Sequence, residues 1–302
     1  MGRFRSAQSQ AKHAVGKKLA IGKPRHGPAG KDGKVHSLGT AGSYVQSLKG
    51  TAAFIAERKL DPLGRGLASL TRDSAQVYLE FRSQEVGQKQ LDKDRQAIQV
   101  HLGEKLPVIK SELDQTLQSR AYTQQQIQLV AGAQTKKHRL ATLIAADAGL
   151  RAVELLTLLP FGDREISAHR TWTEERFEGR VEVVVYTVKG KGGLTREVAL
   201  DKALSSQLEM LRLDKPRIVT DREIFYEQFY DIGGGKRWSD SFSKAATREL
   251  GWSSGGHGVR HSYAQARMLT LQSSGLNYKQ ALSIVSQEMG HFRPEITEVY
   301  LR

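Results

Sequence analysis

The chain has 302 residues, enough for two domains that each bury a hydrophobic core. Its 46 Lys and Arg against 32 Asp and Glu give a net charge of +14, which predicts a polyanionic partner, most simply nucleic acid, although a basic protein that merely stays soluble has the same balance. The absence of cysteine excludes disulfides and thiolate metal sites. There is no apolar run of about eighteen residues and no secretory signal, so we expect no membrane span and a cytoplasmic protein.

Residues 1–39 are strongly basic and poor in large apolar side chains. Nine Lys or Arg oppose one acidic residue, Asp32, a net charge of +8 (9 − 1). Such a segment cannot offset its ordering entropy by burying apolar surface, so we predict a flexible tail. As a DNA-binding arm the tail would place cations on phosphates, and the candidates are Lys17, Lys18, Lys23 and Arg25. A solvated tail without a binding role fits the composition equally well.

Residues 40–114 are predicted to form a small helical domain. Apolar residues recur at helical spacing in three segments: Tyr44, Leu48, Ala52 and Ile55; Ala75, Tyr78 and Leu79; Leu91, Ile98 and Leu102. Thr71 stands where it can cap the second helix. We expect these stripes to be core, with basic residues on the opposite faces.

A linker is predicted between residues 103 and 122, where a proline and mixed polar residues interrupt the helical pattern. Thr123 and Gln126 have the spacing of a capping box for the next helix. We therefore place a domain boundary near residue 115, and the second domain covers residues 115–302.

The second domain begins with an amphipathic helix that ends at a glycine. Leu140 and Ile144 share one helical face, and Gly149 can end the helix. A second helix is expected directly after it, in the phrase A-G-L-R-A-V-E-L. Arg151 in this phrase could bind a phosphate, with Glu154 one turn further on to orient the guanidinium. The plainer alternative is a surface ion pair at i and i+3.

Residues 181–200 have the composition of a β-hairpin. Val181 to Val188 are almost all β-branched or aromatic, G-K-G-G supplies a turn, and R-E-V-A-L supplies the returning strand. This turn places Lys191 at the tip, with Lys189 as the nearby alternative cation. The order G-x-x-x-x-G-K-[ST] is missing, so we infer no nucleotide-binding loop.

Residues 202–250 are predicted to be mainly helical, with Leu208 and Leu211 in the core. They include the glycine-rich stretch I-G-G-G-K-R-W, which contains Lys236 and Arg237. The backbone N–H groups of this stretch could contact a phosphate, or the stretch could be a flexible connection. Composition favours the connection slightly.

Residues 255–302 combine imidazoles, a guanidinium and a phenol at regular spacing. His257 and Arg260 are three residues apart, so they share a helical face. His291 follows Gly290 at the end of a predicted helix, and Tyr300 lies nine residues after His291 (300 − 291 = 9). Arginine binds phosphate oxygens with two parallel donors, histidine moves protons near neutral pH, and a phenol can attack phosphorus. The set is suited to phosphodiester chemistry.

The ordered pattern H-x-x-R, then G-H, then a tyrosine nine residues later resembles the tyrosine recombinases, also called the phage integrase family. The resemblance covers residues 40–302 and six motif positions in order: Arg151, Lys191, His257, Arg260, His291 and Tyr300. It implies an α+β fold, mostly α with a small β-sheet, in which a helical core-binding (SAM-like) domain over residues 40–114 precedes a catalytic domain. The expected location is the nucleoid of a bacterial or phage-infected cell.

The resemblance also implies a reaction. Tyr300 would attack a DNA phosphate and form a 3′-phosphotyrosyl intermediate without metal or ATP. Arg151, Arg260 and His291 would stabilise the charge that grows on the phosphorane oxygens. A 5′ hydroxyl from another strand could then reverse the step and join a new partner.

The remaining motif residues would move protons or position their neighbours. By the same resemblance, His257 would take the proton of the phenol, Lys191 would protonate the departing 5′ oxygen, and Glu154 would support the first arginine. His261 is expected to be structural. His257, His261 and His291 could instead ligate zinc, but the H-E-x-x-H order is missing and nearby cations would repel a metal, so we expect neither metal nor cofactor.

The function implied by the resemblance is site-specific recombination, for integration or excision of a mobile element. Double-stranded DNA is the expected partner, with a homo-tetramer on paired sites and a weaker assembly or a monomer without DNA. An accessory DNA-bending protein is an open alternative. The competing functions are a type IB topoisomerase-like enzyme that relaxes one duplex and a non-catalytic DNA-binding protein of the same fold.

Overall fold

In a computed structural model the chain divides into two compact units, Met1–Thr116 and Leu117–Arg302. The structure describes residues 6–23, 26–27, 30–60, 65–113 and 118–302. The boundary predicted near residue 115 therefore lies outside the described residues. None of the described helices is long and apolar enough to cross a membrane.

The amino-terminal unit packs its described helices around one hydrophobic core. The helices are α1 (Ala7–Gly16), α2 (Leu38–Glu57), α3 (Arg72–Ser83) and α4 (Gln88–Leu102), and the short strands β1 (His26–Gly27) and β2 (Gly30–Lys31) lie between the first two. Leu48, Ile55 and Leu79 are almost completely buried, so the predicted apolar stripes are core. Thr71 caps α3 through a reciprocal capping box with Ser74, which confirms that prediction.

Part of the predicted tail is folded. Helix α1 begins after Ser6, whose hydroxyl accepts a hydrogen bond from the Ser9 amide at 3.3 Å. Ala11 and Val15 on this helix are buried in the core of the same unit. The prediction of a flexible tail over residues 1–39 is therefore wrong for α1. Small apolar residues at i and i+4 are enough to bury one face of a short helix, even where large apolar side chains are scarce.

The carboxy-terminal unit combines helices with two small antiparallel sheets. Its helices are α5 (Gln124–Gly132), α6 (Lys136–Ala148), α7 (Lys202–Glu209), α8 (Gly235–Leu250), α9 (Gly258–Ser273), α10 (Tyr278–Glu288) and α11 (Pro294–Glu298). Its strands are β3 (Leu159–Pro160), β4 (Val183–Lys189), β5 (Thr195–Asp201), β6 (Arg212–Asp221) and β7 (Ile224–Tyr230). The predicted class, mostly α with a small β-sheet, is confirmed.

Local sequence signals account for several helix ends in this unit. Thr123 and Gln126 form the predicted capping box at the start of α5. Gly149 ends α6 with a left-handed φ of 60°, and Gly290, with a φ of 70°, follows α10. The helix expected directly after Gly149 is absent, because only a single 3-10 turn, Glu154–Leu156, precedes β3.

The first sheet has the strand order β3-β4-β5, and its two longer strands form the hairpin predicted over residues 181–200. Lys189 at the end of β4 pairs with Thr195 at the start of β5. Gly192 and Gly193 in the connecting turn have φ values of 75° and 80°, which explains why the turn is rich in glycine.

Strands β6 and β7 form a second hairpin, so the prediction that residues 202–250 are mainly helical is wrong for this part. Both strands carry β-branched or aromatic runs, I-V-T and I-F-Y, that favour extended structure. The two-residue turn uses Arg222 and Glu223 with φ values of 49° and 66°, so the usual Asn-Gly signal is missing. Leu208 is buried and Leu211 packs against the core, as predicted.

Candidate active site

Arg151 lies just beyond the end of α6, where Gly149 redirects the chain. A Cβ at Gly149 would lie 2.4 Å from the Tyr263 ring, so this position requires glycine for space as well as for φ. Arg151 Nη1 donates to Glu154 Oε1 at 2.7 Å, and the Arg151 amide donates to the other carboxylate oxygen at 2.8 Å. Glu154 is fully buried, so the alternative of a surface ion pair is wrong.

Glu154 is the common partner of three guanidinium groups. In addition to Arg151, its Oε2 lies 2.9 Å from Nη2 of Arg196 and 3.7 Å from Nη1 of Arg260. Burial alone would raise the pKa of the Glu154 carboxyl, but the charges of Arg196, Arg151 and Arg260 lower it well below its usual range. The carboxylate therefore stays ionised and offsets the repulsion among the arginines.

Arg196 is a member of this cluster that the sequence analysis did not identify. It lies on β5, is 1% exposed, and shares its strand face with Val198 and Leu200. A charged residue at an inward position of an otherwise apolar strand face is the signal that could have revealed it. Its Nη1 donates to the Glu288 backbone carbonyl at the end of α10.

Arg260 lies in the first turn of α9 and is fully buried. Its Nη1 donates to the Gly149 carbonyl, and its Nη2 donates to the Met289 carbonyl at 3.1 Å and to Nε2 of His291 at 3.3 Å. Burial and the charge of Arg151 lower its pKa to about 10, so it remains a cation at neutral pH. Because a guanidinium only donates, Nε2 of His291 is the accepting nitrogen and its Nδ1 carries the proton.

Thr297 ties His291 to Tyr300. Nδ1 of His291 donates to the Thr297 hydroxyl at 2.9 Å, and the Tyr300 amide donates to the Thr297 carbonyl at 2.9 Å. Tyr300 lies in the turn directly after α11. The short helix therefore sets the positions of both side chains through one threonine.

The Tyr300 ring is 8% exposed and packs against other motif side chains. Its centroid lies 4.6 Å from the ring of His261, 5.0 Å from that of His291 and 5.2 Å from that of His257. The Arg260 guanidinium carbon lies 5.7 Å from the same centroid. The structure thus brings Tyr300, Arg260 and the three histidines together, and His261, which we expected to be structural, has the nearest imidazole of the three.

The three histidines are neutral at physiological pH. Burial and the charge of Arg260 lower the pKa of His291 to about 3, and burial and the charge of Arg120 lower that of His261 to about 4. Partial loss of solvent around its ring and the charge of Arg260 also lower the pKa of His257. His257 is nevertheless the most exposed residue of the three. A neutral imidazole with a free nitrogen can accept a proton. The described residues contain no group of His, Asp or Glu that could hold a metal ion.

No protein-family model matches the sequence, and no curated protein is significantly similar to it. Among solved structures, the XerH site-specific recombinase in its post-cleavage complex with palindromic difH substrate matches with a TM-score of 0.60 and 12% identity, over 100% of this chain and 94% of that chain. A lambda integrase tetramer bound to a Holliday junction matches with a TM-score of 0.55 and 13% identity, over 98% of this chain and 76% of that chain. A lambda integrase dimer bound to a COC′ core site matches with a TM-score of 0.54 and 13% identity, over 98% of this chain and 76% of that chain.

XerH and lambda integrase are tyrosine recombinases, and both match nearly the whole of this chain. The chain has the tyrosine recombinase fold. The likeness is one of fold, so the roles of individual residues rest on the side-chain geometry of this chain.

In this tyrosine recombinase fold, Lys191 begins the turn that joins β4 to β5, and its side chain lies outside the described part of the structure. A Cβ at Gly190 would lie 2.8 Å from Glu154 Oε1, so the turn passes directly beside the arginine cluster. The Thr157 hydroxyl accepts a hydrogen bond from the Lys189 amide at 3.0 Å, which anchors the end of β4. Lys189, the alternative cation, has an exposed side chain.

The glycine-rich stretch before α8 is packed, so the expectation of a flexible connection is wrong. The amides of Gly233 and Gly235 donate to backbone carbonyls at 3.1 Å and 2.7 Å, which leaves these two donors unavailable to a phosphate. A Cβ at Gly234 would lie 2.4 Å from the side chain of Leu156, so the glycine permits close packing here.

The cations predicted to contact DNA belong to both units and differ in availability. Lys17 and Lys23 are exposed and Lys18 is half-buried in the amino-terminal unit. Arg25 lies outside the described residues. In the first turn of α8, Lys236 pairs with Asp240, whereas the neighbouring Arg237 is exposed.

Proposed function

We propose that this protein is a site-specific DNA recombinase that cuts and rejoins strands through a covalent bond between Tyr300 and a 3′ phosphate. The observation that carries the proposal is the packing of the Tyr300 ring against three imidazoles and beside the Arg260 guanidinium. Arg151 keeps 24% of its side chain exposed, so this arginine of the cluster is open to an incoming phosphate. The buried carboxylate of Glu154 holds the cluster in shape before DNA arrives.

In the proposed cleavage step the Tyr300 hydroxyl oxygen bonds to phosphorus while the bond from phosphorus to the 5′ oxygen breaks. The phenolic proton passes to His257, since Nε2 of His291 already accepts from Arg260. The phosphate also brings negative charge to histidines whose pKa is lowered by cations, which favours proton uptake during the attack. Lys191, at the hairpin tip, would supply the proton to the departing 5′ oxygen.

In the proposed rejoining step a 5′ hydroxyl from a second strand gives its proton to Lys191 and its oxygen bonds to phosphorus. The bond from phosphorus to Tyr300 breaks, and His257 returns its proton to the phenolic oxygen. One phosphate ester replaces another at each step, so the reaction needs no ATP. Exchange between two duplexes produces recombination, whereas return of the same strand only relaxes the duplex.

Double-stranded DNA is the proposed partner, in agreement with the net charge of +14. The lambda integrase structures are a dimer on a core site and a tetramer on a Holliday junction. We propose that four copies of this chain likewise assemble on two paired sites, where they integrate or excise a mobile element. Sedimentation of the protein on a cognate duplex would measure the assembly directly.

The test maps covalent attachment on natural DNA, because the target sequence is unknown. The purified chain is incubated with genomic DNA from its source cells, and the reaction is stopped with detergent. The DNA ends that remain attached to protein are then sequenced. We expect attachment at 3′ phosphates of a defined site. Tyr300→Phe should form no adduct while binding DNA with unchanged affinity.

Tyr278→Phe is the matched control, because Tyr278 is 46% exposed in the same unit and should be dispensable. Adduct formation by Tyr300→Phe, or none by the wild-type chain, would overturn the proposal. Plasmid relaxation without exchange between two copies of the mapped site would instead identify a topoisomerase.

A further inference from the structure

His291 stands between two residues with left-handed backbone conformation. Gly290 has a φ of 70° and Phe292 a φ of 54°. Glycine adopts this conformation without cost, but phenylalanine has a Cβ that clashes there, so such a residue is rare outside positions that surrounding contacts enforce. Contacts to Phe292 must therefore hold the turn that presents His291.

Two side chains from the segment before β4 hold the Phe292 ring. Trp172 packs edge-to-face on it with a centroid distance of 4.7 Å and an interplanar angle of 71°. The guanidinium carbon of Arg170 lies 5.0 Å from the same ring. Both contacts are of kinds that prefer a defined geometry, so they restrict where Phe292 can lie.

Trp172 is itself fixed from three directions. Its Nε1 donates to the Ser167 carbonyl at 3.2 Å, and the Arg176 guanidinium carbon lies 4.7 Å from its ring. Arg176 pairs with Glu197 on β5 at 2.6 Å. The amide of the next residue, Thr173, donates to the Gln287 side chain on α10 at 2.8 Å. Trp172 is thus anchored to the strand and the helix that flank the arginine cluster.

We propose that Trp172 is a positioning residue for His291 and acts through Phe292. The contact holds the His291 turn in the conformation in which Nε2 meets Arg260 and Nδ1 meets Thr297. The assignment of a catalytic effect to Trp172 rests on the proposed function, whereas its effect on the imidazole does not.

The first experiment observes the His291 imidazole by NMR in the DNA-free full-length protein, with the resonance assigned from its loss in His291→Gln. In the wild-type protein the resonance should not titrate between about pH 8 and pH 5, because its pKa is lowered to about 3. In Trp172→Ala the turn relaxes into solvent, and the titration midpoint should move toward the ordinary value of 6.5.

Three further variants make this experiment specific. Phe292→Ala removes the other half of the contact and keeps the Cβ that disfavours the left-handed φ, so it should reproduce the effect even if Trp172→Ala fails to fold. Trp172→Phe keeps an aromatic edge and should preserve the wild-type titration. Phe161→Ala removes an aromatic side chain that is 63% exposed in the same connecting segment and should change nothing. A wild-type titration in folded Trp172→Ala or Phe292→Ala would overturn the proposal.

The second experiment measures adduct formation on a nicked duplex that carries the mapped site. Trp172→Ala should slow it by about 10- to 100-fold with unchanged DNA affinity, since small displacements of a reacting group have effects of this size. In a His291→Gln background the same substitution should have no further effect. An equal loss in both backgrounds would show that Trp172 does not act through His291. If the wild-type chain forms no adduct, the proposed function fails, and the NMR titration still decides the positioning role.

Discussion

Nη2 of Arg196 lies 2.9 Å from Oε2 of Glu154, and their side chains are only 1% and 0% exposed. The pair joins β5 to the turn after α6, and the same carboxylate holds Arg151 and Arg260. One buried negative charge thus organises three positive charges in the absence of DNA. The geometry of this arginine cluster is therefore built into the fold of the carboxy-terminal unit.

Glu154→Gln should destabilise the carboxy-terminal unit by about 3 kcal/mol, because removing one partner of a buried ion pair leaves the others uncompensated. The free energy of unfolding can be measured by tryptophan fluorescence in a urea titration, since Trp172, Trp238 and Trp252 all lie in that unit. Glu165→Gln, at an exposed position of the same unit, is the control. Equal unfolding midpoints for the two variants would contradict the role of Glu154.

The stabilisation by Glu154 should depend on pH in a defined direction. Its pKa in the folded protein lies below the ordinary value of 4.5, because the arginine charges outweigh the effect of burial. The stabilisation of the folded protein by the Glu154 carboxylate is therefore complete above about pH 4.5 and is lost as the pH falls toward the folded-state pKa. The difference in unfolding free energy between wild type and Glu154→Gln should shrink between about pH 6 and pH 3. A difference that stays constant over this range would be inconsistent with the lowered pKa.

His291 should make the protein less stable in mild acid. Its pKa is about 3 in the folded protein and 6.5 ordinarily, so the unfolded chain takes up the proton first as the pH falls. The contribution of the neutral His291 imidazole to the free energy of unfolding is complete above pH 6.5 and declines below that pH. Between about pH 7.5 and pH 5.5, His291→Gln should lose about 1 kcal/mol less stability than the wild type. Urea unfolding at both pH values tests this, and equal losses would argue against a neutral, buried imidazole.

Gly234→Ala should cost about 1–3 kcal/mol, because the added Cβ overpacks the site beside Leu156. The expected contact distance of 2.4 Å is too short for the buried Leu156 side chain to stay in place. Gly132→Ala is the matched control in α5, since a Cβ there meets nothing within 4 Å. That variant should be neutral or slightly more stable. If both substitutions were equally mild, the glycine-rich stretch would be flexible after all.

The sequence by itself determined the local parts of this protein. The capping box at Thr123, the end of α6 at Gly149 and the hairpin that carries Lys191 all follow from short-range patterns. The placement of His257 and Arg260 on one helical turn likewise follows from their spacing of three residues. Such features depend on residues within a few positions of one another, so periodicity and turn chemistry are enough to find them.

Tertiary structure alone decided how these parts meet. Arg196 joins the cluster because β5 turns it inward onto Glu154, and Trp172 reaches Phe292 across a long stretch of chain. Hairpin β6–β7 escaped prediction because its turn, Arg222 and Glu223, lacks the usual Asn-Gly signal, although both strands carry β-branched or aromatic runs. Burial and charge pairing act between residues far apart in the chain, and local sequence does not record which distant side chain will supply the opposite charge or the packing surface.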